Sequence, residues 1–171
     1  MNLPAEHPFR KQLRLKEYDY SQQNAFFLTL CIHDRIPLLG SVDELLVGAA
    51  LRARPNRPDM MVVKWLLELE HKFPGVLLDC YCVMPDHIHF ILIFDHNVPY
   101  DLPQVIGWYK TMTTNAYIRG VRGHLYAPYK KSFWQRTYYE HIIRNNDDLY
   151  ETRKYIEDNP LRWVLRHQER G

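Results

Sequence analysis

"VLLDCYCVMPDHIHFILIF", residues 76–94, holds two apolar runs of strand length, 76–83 and 87–94, parted only by Met84, Pro85 and Asp86. A connection that short forces the two strands antiparallel, because a parallel pair needs a crossover of about a dozen residues. Side chains at i and i+2 of a strand face the same way. His87 and His89 therefore share a face with Ile91 and Ile93, while Ile88, Phe90, Leu92 and Phe94 fill the other. A strand apolar on both faces is central and covered on both sides, so the two imidazoles lie toward one end of a buried strand.

Outward from this hairpin the pattern alternates between helix and strand. "NAFFLTLCIH" (24–33) reads as a strand, and "SVDELLVGAALRA" (41–53) has helical spacing with Ser41 or Asp43 as its cap. Two prolines in "RPNRP" (54–58) break that helix. Helical spacing resumes over 59–72, with Met61, Trp65, Leu66 and Leu69 on one side. "LPQVIGWYKTMTTNAYIRG" (102–120) reads as a helix and "RTYYEHIIR" (136–144) alternates like a strand. A last helix starts at 146, capped by Asn145 or Asn146 with Asp147 and Asp148 in its first turn, and Pro160 is its expected stop. The order β-α-β-β-α-β-α predicts an α+β chain. It is a ferredoxin-like βαββαβ antiparallel sheet with helices on one face plus a C-terminal helix. The expected organisation is a polar arm over 1–20, one domain over 21–165 and a tail over 166–171.

At 171 residues the chain is the size of one domain. It has no run of about 18 apolar residues, and "MNLPAEHPFRKQLRLKEYDY" lacks the apolar segment of a signal peptide. These features predict a cytoplasmic protein with no membrane partner. Cys80 and Cys82 alternate along one strand and Cys31 is distant, which argues against a disulfide framework or a Cys-rich zinc site. Residues 110–144 carry seven Lys or Arg against one acid, Glu140, and seven aromatic residues are interleaved among them. Cations for phosphates beside flat rings for bases suit single-stranded nucleic acid, and a solvated basic face beside core aromatics fits the composition equally well.

Two histidines at i and i+2 can share a metal ion, but His-x-His is a weak signal without a third ligand. Tyr155 and Asn159, four residues apart, project from one face of the last helix. The amide oxygen of Asn159 is a candidate ligand and Tyr155 brings a phenol one turn away. The alternative is that Tyr155 packs on the sheet and Asn159 caps the helix before Pro160.

"CVMPDHIH", "FWQRTYYEHIIRN" and "YIEDNPLRW", with "YDYSQQNAFFLTLCIHDRIPLLG" and "FPGVLLDCYCVMPDHIH", resemble the REP-associated tyrosine transposases and related single-tyrosine HUH transposases. The resemblance spans residues 13–165, and "RARPNRPDM" (52–60) is longer than usual for that family. It implies a metal-dependent single-stranded DNA transesterase with His87, His89 and Asn159 holding Mg²⁺ or Mn²⁺ and Tyr155 as nucleophile. Such an enzyme cleaves and rejoins DNA near hairpins through a 5′-phosphotyrosine. Relatives often carry Gln where this chain has Asn159, so the shorter side chain requires the helix nearer the sheet. A DNA-contact set of Lys110, Arg119, Arg122, Lys130, Lys131, Trp134, Arg136 and Tyr139 follows from the basic window and from a family signature around Trp134. Of Tyr138 and Tyr139, one is expected in the core and the other as a base-stacking ring, while His141 has no evident partner. Relatives include dimers that exchange the tyrosine helix and others that act alone, so a homodimer and a monomer both remain open.

A non-cleaving DNA-binding protein on the same fold is the alternative function, disfavoured because a binder need not keep His87, His89 and Tyr155 together. A small-molecule metal hydrolase would want an acidic base in the cleft. Asp86, the nearest acid, is expected on the opposite strand face from the histidines.

Overall fold

The computed structural model describes residues 24–41 and 57–168. The arm read over 1–20, the helix read beyond Ser41 and the prolyl break at Pro55 lie outside the described residues. Four strands, β1 (Asn24–Cys31), β2 (Val76–Met84), β3 (His87–Phe94) and β4 (Tyr139–Ile143), form one sheet in the order β2-β3-β1-β4, with every neighbouring pair antiparallel. That is the ferredoxin-like order. Helices α1 (Pro58–Lys72), α2 (Leu102–Arg122) and α3 (Asn146–Gln168) cover the sheet. Among the described residues no helix is long and apolar enough to cross a membrane.

The alternation of β3 separates two cores. Ile88, Phe90, Leu92 and Phe94 pack with Leu28 and Leu30 of β1, with Val62, Leu66 and Leu69 of α1 and with Val105, Ile106 and Tyr109 of α2. Ile91 and Ile93 face the other way, to Ala25 and Phe27 of β1, Cys80, Cys82 and Met84 of β2, and Leu149 and Ile156 of α3. Thus, among the described residues, α1 and α2 cover one face, and α3 lies on the face that carries the histidines.

Strand β2 does not alternate strictly. Val76 and Leu78 join the α1/α2 core, yet so do Tyr81 and Val83, because the pairing with β3 shifts between Leu78 and Cys80. Asp79 is the extra residue of this bulge, and one inserted residue exchanges the faces of all that follow. The Asp79 carboxylate, buried, receives Arg153 of α3 in a two-point ion pair, from Nε at 2.8 Å and also from Nη2.

Three boundaries differ from the sequence reading. β1 ends at Cys31 rather than His33, because Asp34 and Arg35 take left-handed φ values of 54° and 57° in the short turn His33–Arg35. β4 begins only at Tyr139: Trp134 and Gln135 still pair with the chain at the end of β1, through a bridge to Ile32 and a bond from the Gln135 N–H to the Cys31 carbonyl, while the carbonyls of Gln135 and Arg136 accept from Lys110 on α2. α3 does not stop at Pro160 but runs to Gln168, so 166–168 extend a helix rather than start a tail. A proline removes one helical hydrogen bond, but Ile156 before it and Trp163 after it both pack on the second core and keep the axis continuous. The start of α3 is as expected, with the Asn145 side chain accepting from the backbone N–H of Asp148 at 2.8 Å.

The aromatic residues after α2 form a stack rather than a display. Tyr117, Tyr126, Tyr129, Phe133 and Trp134 lie ring to ring with centroids 4.4–5.7 Å apart. Gly120 makes room for this, since a Cβ there would fall 2.1 Å from the Tyr126 ring.

Candidate active site

The histidines sit at the hairpin end of β3, and each outer ring nitrogen is held by a different neighbour. Register places Thr29 of β1 across from His89, with its Oγ1 2.8 Å from His89 Nδ1. Asp86 Oδ1 lies 2.6 Å from His87 Nδ1, and Asp86 Oδ2 lies 2.9 Å from Arg35 Nε. A second nitrogen of Arg35, Nη1, donates to the Cys31 sulfur at 2.7 Å. Burial alone would raise the Asp86 carboxyl, but the hydrogen bond from His87 and the charges of His87 and Arg35 hold it below the usual range. An ionised carboxylate only accepts, so His87 Nδ1 carries a proton, and the other ring nitrogen, Nε2, faces into the site.

Three nitrogens converge there. His87 Nε2 and His89 Nε2 are 3.1 Å apart, and Asn159 Nδ2 is 3.2 Å from His89 Nε2. All three residues are buried. Burial, then the nearby positive charges of His87 and Arg35, push the His89 imidazole down to about 3, so it is neutral at physiological pH. Two ring nitrogens this close, aimed at one point, need a proton or a cation between them. The donor set fits a divalent cation, because turning over the planar Asn159 amide brings its oxygen to the same place. Among the described residues no group of three His, Cys, Asp or Glu side chains could hold a metal, so a third donor beside the two histidines would have to be of another type, and the Asn159 amide is within reach. The short Asn reaches because α3 lies directly on this face of the sheet. Its alternative reading as a helix cap does not apply, since the helix continues beyond it.

Tyr155, one turn before Asn159, meets His89 edge-on with ring centroids 5.5 Å apart and Phe27 at 5.8 Å. Phe27 stacks on His89 at 5.5 Å and touches Tyr139 at 6.1 Å. Tyr155 is 40% exposed, so its ring is anchored against the histidine without being sealed from solvent.

The rest of the site set is divided. Arg119, Arg122, Lys130, Lys131 and Arg136 are exposed, and Tyr139 is an exposed ring bordering the Phe27 cluster. Trp134 is 4% exposed and donates from Nε1 to Thr113 Oγ1 at 2.8 Å, so it is a core residue and not a stacking surface. Lys110 spends its ammonium on two carbonyls and lies 5.3 Å from the Tyr138 ring centroid, with burial lowering its pKa. Of the adjacent tyrosines, Tyr138 packs on the first core and Tyr139 is the outward ring. His141 does have a partner, both carboxylate oxygens of Asp148 at 3.0 Å from Nε2. Asp86 does not face away from the histidines. It belongs to the turn, where strand alternation does not apply, and its carboxylate folds back onto His87. Thr29, Arg35, Asp79 and Arg153 were not singled out by sequence, because each owes its place to long-range pairing.

The model of one protein family, the IS200-like transposases, matches residues 62–159. That span is more than half the chain and runs through His87, His89 and Tyr155 to Asn159. The chain belongs to the IS200-like transposase family. An uncharacterised protein of Haemophilus influenzae is 28% identical over 169 residues, 90% of this chain and 89% of that one. A provisionally named REP-associated tyrosine transposase of the same organism is 32% identical over 84 residues, 47% of each chain. A solved structure of a REP-associated tyrosine transposase bound to a REP hairpin covers 87% of this chain and 73% of that one, at a TM-score of 0.55 and 21% identity. At that identity the likeness is one of fold, and it extends to the four-stranded antiparallel sheet with its helices.

Proposed function

We propose that this IS200-like transposase is a divalent-metal-dependent transesterase that cuts and rejoins single-stranded DNA beside a hairpin, with Tyr155 as nucleophile. The observation that carries the reading is the meeting of His87, His89, Asn159 and a partly exposed Tyr155 in one patch at the end of the sheet. The hairpin preference draws support from the fold it shares with a hairpin-bound REP-associated tyrosine transposase.

The chain's own groups divide the work. Phe27 and His89 hold the Tyr155 ring, which limits where its oxygen can go. Attack forms an Oη–P bond and breaks the P–O3′ bond, and the phenolic proton passes through solvent to the departing 3′-oxygen. The resulting 5′-phosphotyrosine keeps the bond energy of the diester, so a 3′-hydroxyl can reverse the step without ATP. His87, His89 and Asn159 would hold a divalent cation, Mg²⁺ or Mn²⁺, which would supply charge neutralisation for the phosphate. Exposed Arg119, Arg122, Lys130, Lys131 and Arg136 offer phosphate contacts, and Tyr139 a face for a base.

Covalent trapping tests the reading. Labelled hairpin oligonucleotides with single-stranded flanks, incubated with the protein and Mn²⁺ or Mg²⁺, are expected to give an adduct on a denaturing gel that EDTA prevents. Tight binding with no adduct in either metal would instead make this a non-cleaving DNA-binding protein. Asp86 supplies a second prediction. Asp86→Asn removes the carboxylate that fixes the His87 tautomer and should weaken Mn²⁺ binding by about 10–100-fold in calorimetry. Unchanged affinity would mean that the Asp86 contact does not support a metal site.

A further inference from the structure

We propose that Arg162 is a catalytic residue that grips the scissile phosphate from the side of the attacking tyrosine. This rests on the reading of Tyr155 as nucleophile. It starts from the continuation of α3 through Pro160, without which Arg162 would have no fixed place. Arg162 follows Tyr155 by seven residues, two helical turns, and so lies on the same helix face. Helical side chains lean toward the N-terminus, which sends a long arginine back along the helix. The guanidinium carbon accordingly lies 5.8 Å from the centre of the Tyr155 ring. The one phenol therefore touches both His89 and a cation.

Among the described residues, Arg35 and Arg162 both approach this end of the sheet, and their polar contacts separate their tasks. Arg35 is turned inward, with Nε on Asp86 and Nη1 on Cys31, and acts on His87 through Asp86. Arg162 is half exposed, and its nearest carboxylate, Asp158, stands off at 3.7 Å. An exposed ion pair that long exchanges readily for a better acceptor. A guanidinium offers parallel N–H groups that match two oxygens of one phosphate. During attack by the phenol, negative charge builds on the phosphoryl oxygens and passes through the tyrosyl oxygen. A fixed fork beside the ring meets both, and again meets the departing phenolate when the 5′-phosphotyrosine is resolved. No proton is exchanged with the arginine, which stays charged throughout.

The test is single-turnover adduct formation at saturating hairpin DNA by wild type, Arg162→Ala, Arg162→Lys and Tyr155→Phe, with Mn²⁺ affinity measured on each. Arg162→Ala is expected to slow adduct formation about 100–1,000-fold with Mn²⁺ affinity unchanged. The lysine variant should recover only part of the rate, since a point charge lacks the fork. Guanidinium ion, added well below denaturing concentration, should accelerate Arg162→Ala but neither wild type nor Tyr155→Phe. An alanine variant as fast as wild type at saturating DNA would overturn the assignment. So would a slowed variant that guanidinium does not rescue and whose Mn²⁺ affinity has fallen, which is the mark of a structural residue. If wild type itself gives no adduct, the nucleophile reading falls and this inference falls with it. An adduct from wild type with an indifferent Arg162→Ala removes the arginine's role alone.

Discussion

Tyr155→Phe is expected to eliminate the covalent DNA adduct, a loss of at least about 10⁴-fold, while hairpin binding and metal affinity stay at wild-type levels. The substitution removes one oxygen and keeps the ring. The contacts that seat that ring, edge-on to His89 and Phe27 with the Arg162 guanidinium above it, are contacts of the ring and survive. A partly exposed site changed this little should alter stability by no more than about 0.5 kcal/mol. Loss of the adduct would then report chemistry and not folding. The competing phenols differ in position. Tyr139 borders the site through Phe27 and as the cross-strand partner of Thr29, Tyr150 is exposed five residues earlier on α3, and Tyr138 is packed on the first core. Paired gels of Tyr155→Phe and Tyr139→Phe decide between the nearest two. An adduct that persists in the first and disappears in the second would move the nucleophile to β4.

What the sequence could show and what it could not divide along physical lines. The hairpin was legible because three residues permit one kind of pairing, and alternation then placed His87 and His89 on the face of Ile91 and Ile93, where they are found. Tyr155 and Asn159 were legible as one helix face for the same reason of periodicity. Alternation failed at Asp86, which belongs to a turn, and at Asp79, where one inserted residue exchanges the strand's faces. Pro160 misled because helix propensity is local, whereas Ile156 and Trp163 hold the helix from outside. The aromatic window misled in another way: composition does not distinguish a ring that awaits a base from one that packs on its neighbours. Tyr117, Phe133 and Trp134 are the second kind, and only Tyr139 is well exposed among the window's aromatics. Thr29 gives no local signal at all, since its tie to His89 exists only through the pairing of β1 with β3.

That bulge supplies the largest expected effect on stability. Asp79→Ala should destabilise the chain by about 3 kcal/mol, read as a shift in the denaturant midpoint. The carboxylate is buried and is the two-point acceptor for Arg153, whose side chain is 27% exposed. Removing the acid leaves a guanidinium that can partly turn to water, which keeps the loss at the lower end of the range of about 3–5 kcal/mol for breaking a buried pair. Replacing both partners, Asp79→Leu with Arg153→Leu, removes both charges of the pair together and should recover most of that stability. The pair also ties α3 to β2, and α3 carries Tyr155, Asn159 and Arg162. Asp79→Ala should therefore slow adduct formation even at temperatures where the protein remains folded, because the nucleophile and one donor then move relative to the histidines on β3. A single variant within about 0.5 kcal/mol of wild type, or a double variant as unstable as the single one, would show that the buried carboxylate does not fasten this helix.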